Sequence, residues 1–185
     1  MKDKVVIITG ASSGIGKACA EVFGTKGAKI AITGRNLERL EEAKAELSKK
    51  GINVFAFQAD VSKELDNKNM AEAVIKHFGR IDVLINNAGI TMRASFEETD
   101  MAVIRKVMDI NFFGAVYATR YCMQEILKNK GSILGISSIA GYRGLPGRTG
   151  YSSSKFALQG FLETLRCEML HRGVNVLTVC PGYTT

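Results

Sequence analysis

The chain has 185 residues, 46% hydrophobic and 23% charged, the balance of a soluble globular protein with enough chain for a sizeable core, and it reads as one domain over residues 1–185. Its formal net charge is +7, but the lysines are dispersed along predicted helices without a dense basic block, which points to anionic small ligands and away from nucleic acid. No apolar run approaches the ~20 residues of a membrane span, the apolar run at 5–8 is too short for a signal-peptide core, and the expected location is cytoplasmic. The four cysteines, Cys19, Cys122, Cys167 and Cys180, are scattered and expected to be reduced there. His77 and His171 stand alone, so no metal site is expected.

In chain order, residues 4–9 (KVVIIT) form an apolar, β-branched run, the mark of a strand buried on both faces. A glycine-punctuated loop follows at 10–16. A helix is predicted over 15–26, with Gly27 as its stop. Residues 29–33 give a second strand. Leu37, Leu40, Ala43 and Leu47 recur at helical spacing up to Gly51. A strand at 54–58, a helix at 63–78 and a strand at 83–86 come next. Two consecutive helices are predicted at 100–111 and 112–128, then a strand at 131–137, a long helix at 152–171 and a strand at 175–180. Strand and helix alternate throughout. That predicts right-handed crossovers and a Rossmann-type, doubly wound parallel sheet with helices on both faces, a three-layer α/β/α architecture.

The loop Thr9-Gly10-Ala11-Ser12-Ser13-Gly14-Ile15-Gly16 lies between the first strand and the first helix. Glycines there permit a tight turn and let backbone N–H groups approach phosphate at the positive end of a helix dipole. The spacing is G-x-x-x-G-x-G, which matches neither the G-x-G-x-x-G fingerprint nor the Walker loop. A plain strand–helix turn therefore remains open on this loop alone. At the end of the second strand stands Thr33-Gly34-Arg35-Asn36, with no acid for a ribose 2′-hydroxyl and an Arg suited to a 2′-phosphate. This favours NADP(H) over NAD(H).

Tyr151 and Lys155 are four residues apart, so a helix places them on one face. A neighbouring ammonium favours the phenolate and suits the phenol to general acid–base work. A surface Tyr and a solvated Lys would show the same spacing. Ser152-Ser153-Ser154-Lys155 is also an S-x-x-K, but the S-D-N and K-T-G partners of serine β-lactamases are absent.

With the glycine loop, Asn86-Asn87-Ala88-Gly89 and Tyr151-x-x-x-Lys155 in this order, the chain resembles the short-chain dehydrogenase/reductase family from Val5 to Gly182. The resemblance implies that Gly10, Ser12, Ser13, Gly14, Ile15 and Gly16 hold the pyrophosphate and adenosine ribose, and that Arg35 holds the 2′-phosphate. It implies that Asp60 and Val61 flank the adenine and that Asn87, Ala88 and Gly89 line the ribose on the nicotinamide side. Pro181 and Gly182 match the family's Pro-Gly after the sixth strand. Tyr151 is implied as the proton donor to a carbonyl oxygen, Lys155 as its pKa-lowering and ribose-binding neighbour, and Ser138, thirteen residues before the Tyr, as the stabiliser of the reacting oxygen. Asn111 is implied to interrupt its helix and hold a proton-relaying water.

The implied function is NADP(H)-dependent oxidoreduction of a carbonyl or secondary alcohol. The alternatives are a non-catalytic dinucleotide-binding or interaction protein, and an epimerase that reuses Tyr and Lys with bound NAD. The segment 139–150, with Tyr142, Leu145 and Arg148, is expected to wall the substrate pocket, and residues 90–99, with Met92 and Phe96, to form another wall. In sequence this stretch resembles the branch acting on steroid-like or lipid-like carbonyls. Family members continue past Pro-Gly with a substrate-covering segment. Here the sequence ends at Thr185, with Thr184 or Thr185 as possible nicotinamide contacts and a shortened chain and a fragment both open. The apolar surface of the last helix, with Phe156, Ala157, Phe161, Leu165 and Met169, together with residues 112–128, predicts a homodimer or homotetramer.

Overall fold

The computed structural model describes residues 1–182. Six parallel strands, β1 (Val5–Ile8), β2 (Lys29–Gly34), β3 (Val54–Gln58), β4 (Val83–Asn86), β5 (Ser132–Ile136) and β6 (Asn175–Val179), pair in the order β3-β2-β1-β4-β5-β6. The helices are α1 (Gly14–Thr25), α2 (Leu37–Lys49), α3 (Glu64–Phe78), α4 (Met101–Met108), α5 (Gly114–Lys128) and α6 (Thr149–Met169).

β1 is buried at every position because its alternating side chains feed two cores. Val5 and Ile7 join Leu84, Ile133, Met70, Ala118, Ile126 and Leu162, on the side of α3, α5 and α6. Val6 and Ile8 join Ile30, Ile32, Ile85, Ala20, Leu40 and Leu47, on the side of α1 and α2. The three-layer sandwich follows from that alternation. Strand order reverses between β2–β1 and β1–β4. The loops after β1 and β4 therefore diverge, and a crevice opens at the carboxyl ends of the strands.

Most element boundaries fall within one residue of the sequence expectation, and the larger departures are at α6 and at the α4–α5 junction. α6 begins at Thr149 and not at 152, so Tyr151 sits inside its first turn. β1 is Val5–Ile8, two residues shorter than residues 4–9, although Lys29 N still donates to Lys4 O and Thr9 N to Ile85 O. The two helices expected at 100–111 and 112–128 form one rod, joined by a π-turn at Asp109–Phe113 whose flanking residues keep right-handed helical dihedrals. An apolar repeat cannot reveal one residue absorbed in a wide turn.

At the opposite end of the sheet, buried Asp82 ties the strands together. Its carboxylate accepts from Val5 N at 3.0 Å, Lys4 Nζ at 2.9 Å, and Arg80 Nε and Nη2 at 2.9 and 2.6 Å. Burial alone would raise its pKa, but the Arg80, Val5 and Lys4 hydrogen bonds outweigh it and hold the carboxyl below its ordinary range. A depressed carboxyl contributes stability that is present above the ordinary pKa and is lost as pH falls through the folded one. Asp82→Ala is expected to lower stability by roughly 2–3 kcal/mol, less than a fully buried pair because Lys4 and Arg80 are half-exposed. Thermal melts from neutral to acid pH check this. The variant should melt lower at pH 7 and lose part of the parent's acid sensitivity, and a neutral substitution would remove Asp82 from this role.

Candidate active site

The crevice above β1 and β4 is a cleft of about 640 Å³ whose lining includes Gly10, Ser12, Ser13, Ile15, Arg35, Val61, Asn87, Ala88 and Gly89. Gly10 has a φ of +65° and lies so close to Ala88 that a Cβ would overlap its backbone. At Gly16 a Cβ would collide with the Asn87 amide, so Gly16 buries itself against Asn87 and does not line the cleft. Gly14 opens α1. The loop is pinned from the neighbouring strand: Asn87 Nδ2 donates to Thr9 O at 2.9 Å and to Gly10 O at 3.1 Å, while Asn87 N and Ala88 N both donate to Thr9 Oγ1 at 3.1 Å. Ser13 is the N-cap of α1, yet its side chain makes no capping hydrogen bond. Its hydroxyl is thus available at a helix N-terminus facing the cleft.

At the far end the cleft is basic. Arg35 and Arg39 both line it, together with Asn36, whose side chain caps α2 by accepting from Arg39 N at 2.9 Å. Sequence reading found Arg35 and missed Arg39, Thr33, Gly34 and Ile110, which also line it. Arg39 carried a signal: it stands in the first turn of the helix entered from Arg35, on the side facing back toward the strand end. Asp60 is not in this lining. It faces a smaller neighbouring cavity with Arg35, Arg105 and Lys106, and its carboxylate is engaged in its own turn, accepting from Ser62 N at 3.0 Å and Ser62 Oγ at 2.7 Å.

A second cavity, about 280 Å³, shares Ile15, Asn87, Gly89 and Ile90 with the cleft and adds Ser138, Tyr151, Lys155, Pro181 and Gly182. The loop after β5 delivers Ser138, and the first turns of α6 deliver Tyr151 and Lys155. Lys155 is 4% exposed, and its Nζ lies 5.8 Å from the Tyr151 ring centroid and donates to Ile136 O at 2.8 Å. Burial pushes its pKa down to about 8. Asn111, in the π-turn, is buried and clamps Ile90: Oδ1 accepts from Ile90 N at 2.8 Å, and Nδ2 donates to Ile90 O at 2.9 Å and to Ser154 Oγ at 2.9 Å. Its side chain is thereby committed to protein.

Beyond Tyr151 a third cavity of about 250 Å³ is bounded by Thr91, Leu145 and Arg148. Tyr142 and Phe96 instead point to solvent, and Met92 is buried beneath the start of α6 against Gly150. Thr184 and Thr185 lie outside the described residues. All four cysteines are unpaired; Cys122 is buried, Cys19 and Cys180 are half-buried and Cys167 is exposed.

An open parallel sheet with a glycine-turned cleft at its switch point defines a Rossmann-type fold, the architecture in which dinucleotides bind at such a crevice. A profile of short-chain dehydrogenases matches residues 4–185, and the chain belongs to that family. Dehydrogenase/reductase SDR family member 7B of Mus musculus is 41% identical over 188 residues, covering 99% of this chain and 58% of its own length. The chain thus spans little more than half of that relative. Among solved structures, a short-chain dehydrogenase/reductase of Burkholderia phymatum in complex with NAD superposes with a TM-score of 0.96 at 27% identity, covering 99% of this chain and 66% of that one. An alcohol dehydrogenase of Thermococcus sibiricus complexed with 5-hydroxy-NADP superposes at 0.93 with 30% identity, covering 98% and 77%. Both dinucleotides therefore occur among its structural neighbours. Among the described residues, no helix is long and apolar enough to cross a membrane.

Proposed function

We propose that the chain is an NADP(H)-preferring oxidoreductase that interconverts a carbonyl and a secondary alcohol, with Tyr151 as general acid and base. The observation that carries this reading is the convergence of Ser138, Tyr151 and Lys155 on a cavity continuous with the dinucleotide-sized cleft. The cleft fits a polar ligand on its own evidence. Thr33 Oγ1 is fully buried in its lining without a hydrogen-bond partner, and the Ser13 hydroxyl is unused at the helix end.

A nicotinamide dinucleotide supplies or accepts the hydride when bound. In this reading the chain's own residues do the rest. Gly10, Ser12, Ser13, Gly14, Ile15 and Gly16 shape and line the phosphate end. Arg35, with Arg39 beside it, holds a 2′-phosphate by charge-assisted hydrogen bonds. Val61 borders the adenine in the cleft, with Asp60 on the adjoining cavity, and Asn87, Ala88 and Gly89 border the second ribose. The Ser138 hydroxyl and the Tyr151 phenol hold the substrate oxygen, and Tyr151 gives it a proton as charge develops. Lys155 holds positive charge beside the phenol and reaches the ribose hydroxyls. Since the Asn111 side chain is used on Ile90, its role is to position that loop, and a relay water would rest on the backbone carbonyl of the π-turn. Pro181 and Gly182 close the nicotinamide side.

The assembly in this reading is a homodimer or homotetramer. Leu165 and Met169 pack inward, while Phe156 is exposed and Phe161 meets Phe112 edge-on at 6.4 Å beside an apolar groove of about 470 Å³ that runs along α6 next to Phe112 of the π-turn. One set of measurements tests the whole proposal: NADPH and NADH titrations, turnover of a carbonyl panel, and light scattering on the same sample. NADPH should bind at least tenfold tighter than NADH, and Arg35→Asp should reverse that order. Tighter NADH binding in the parent would remove Arg35 from its role, and a monomer at working concentration would remove the interface.

A further inference from the structure

On the substrate side of Tyr151 the chain places a cation that hydride and proton transfer do not use. Arg148 precedes α6 as its N-cap residue, held by its N–H to Leu145 O at 3.1 Å and by Ser152 N donating to its carbonyl at 2.7 Å. Its guanidinium reaches across the third cavity, donates to Thr91 Oγ1, and lies 5.9 Å from the centroid of the Tyr151 ring. A cation over an aromatic face is a favourable placement. Among the described residues no carboxylate forms an ion pair with it. A guanidinium has five N–H donors, and the Thr91 hydroxyl is the sole acceptor found for them among the described residues.

The remaining walls complete a pattern. Ser138 and Tyr151 offer two hydroxyls at one end for a carbonyl oxygen, Ile139 and Leu145 offer an apolar side, and Arg148 offers an unpaired planar fork. That fork matches a carboxylate in a bidentate pair, which a lysine could not reproduce.

We propose that Arg148 anchors a carboxylate of the substrate, so that the compound reduced here is a short oxo acid. The proposal rests on the carbonyl-reductase reading of the site and adds the substrate class. In the reaction the carbonyl carbon gains a hydride from the reduced dinucleotide, which is oxidised. The carbonyl π pair takes the Tyr151 proton, and a hydroxy acid leaves with its carboxylate unchanged. The Arg148–Thr91 hydrogen bond uses the Nη1 side of the guanidinium and leaves its other N–H donors for the carboxylate. It is joined by Ala94 N donating to Gly147 O at 3.0 Å, so the two segments that wall the cavity are zipped together beside the anchor.

The test compares 2- and 4-oxopentanoate with their methyl esters, using NADPH. The expected result is a kcat/KM at least tenfold higher for an acid than for its ester. Arg148→Met should lower that acid-to-ester ratio at least tenfold, Arg148→Lys should retain an intermediate ratio, and Thr91→Val, which removes the tether and keeps the charge, should preserve most of it. Equal or better turnover of the esters, or of a neutral apolar ketone of steroid type, would overturn the proposal. So would an Arg148→Met variant that loses acid and ester turnover in equal measure, or a Thr91→Val variant that reproduces the Arg148→Met ratio, since either marks a structural strap. If neither acid nor ester turns over, calorimetric titration of the two oxo acids decides. Binding that weakens at least tenfold in Arg148→Met upholds the anchor, and no binding overturns it. Failure of the redox reading shows up separately, as turnover that does not depend on Tyr151.

Discussion

Tyr151→Phe is expected to lower turnover of any carbonyl substrate by about 10³–10⁴-fold while leaving dinucleotide affinity within a few-fold of the parent. The substitution deletes one oxygen and keeps the ring that the Arg148 guanidinium and the Lys155 ammonium both approach. The cavity keeps its shape, and Ser138 still offers a hydrogen bond to the substrate oxygen. What disappears is the proton source, whose contribution in positioned general acid catalysis is typically 10²–10⁴-fold. The larger figure is expected because the same hydroxyl also orients the carbonyl. Single-turnover hydride transfer, followed at the nicotinamide absorbance, measures the chemical step, and an equilibrium titration measures the dinucleotide. Turnover within tenfold of the parent would exclude Tyr151 as the acid.

Lys155→Met should abolish turnover and at the same time raise the melting temperature at neutral pH. Lys155 is nearly fully buried with one hydrogen bond, to Ile136 O. Its folded pKa of about 8 lies below the ordinary 10.5, so the folded state resists the charged form. The sign follows: the penalty is complete below pH 8 and fades as pH rises toward 10.5, so this group makes stability increase with pH across that window. A displacement of this size corresponds to roughly 3 kcal/mol. Methionine keeps a flexible stem and removes the charge. The lost hydrogen bond costs about 1–1.5 kcal/mol, which leaves a net gain of roughly 1–2 kcal/mol and a rise of about 3–6 °C. The variant should also lose the upward drift in stability between pH 8 and 10.5. A lower melting temperature at pH 7 would show that the buried ammonium is compensated by contacts within the fold. Bound dinucleotide would offset the penalty through its ribose hydroxyls, which places part of the stability of the loaded enzyme in the ligand.

The contrast between what the sequence declares and what it conceals has physical causes. The run at β1 is apolar at every position, and those at β2 and β4 are apolar at Ile30–Ile32 and Val83–Ile85; only strands covered on both faces tolerate that, so layers and strand type were legible. The glycine loop, Arg35, Tyr151 and Lys155 are adjacent in sequence to the element that positions them, and the structure brings them to one crevice. Arg39 was legible from its place in the first turn of α2 and was passed over, whereas Ile110 was not legible because its place in the cleft depends on how the α4–α5 connection packs. Asp82 meets Lys4 and Val5 across 78 and 77 residues, a distance at which no local pattern speaks. Asp60-Val61-Ser62 could have been read further. An Asp two residues before a Ser forms a local Asx turn, and that turn draws its carboxylate away from the main cleft. On the apolar surface of α6, Leu165 and Met169 belong to the core of their own chain, which helical spacing alone does not distinguish from an outward face.

The π-turn between α4 and α5 separates the requirements of folding from those of the site. A π-turn holds about one residue more than an α-turn, while the helices before and after it keep the mutual phase of an uninterrupted α-rod. Deleting one residue from Asp109–Phe113 would close the rod into plain α-helix and leave Val107 on one side and Thr119, Cys122 and Ile126 on the other in their present orientations. The double hydrogen bond from Asn111 to the Ile90 backbone would have no counterpart in such a rod. The architecture therefore has a spare residue at this point, where Asn111 holds Ile90, which lines both the cleft and the second cavity.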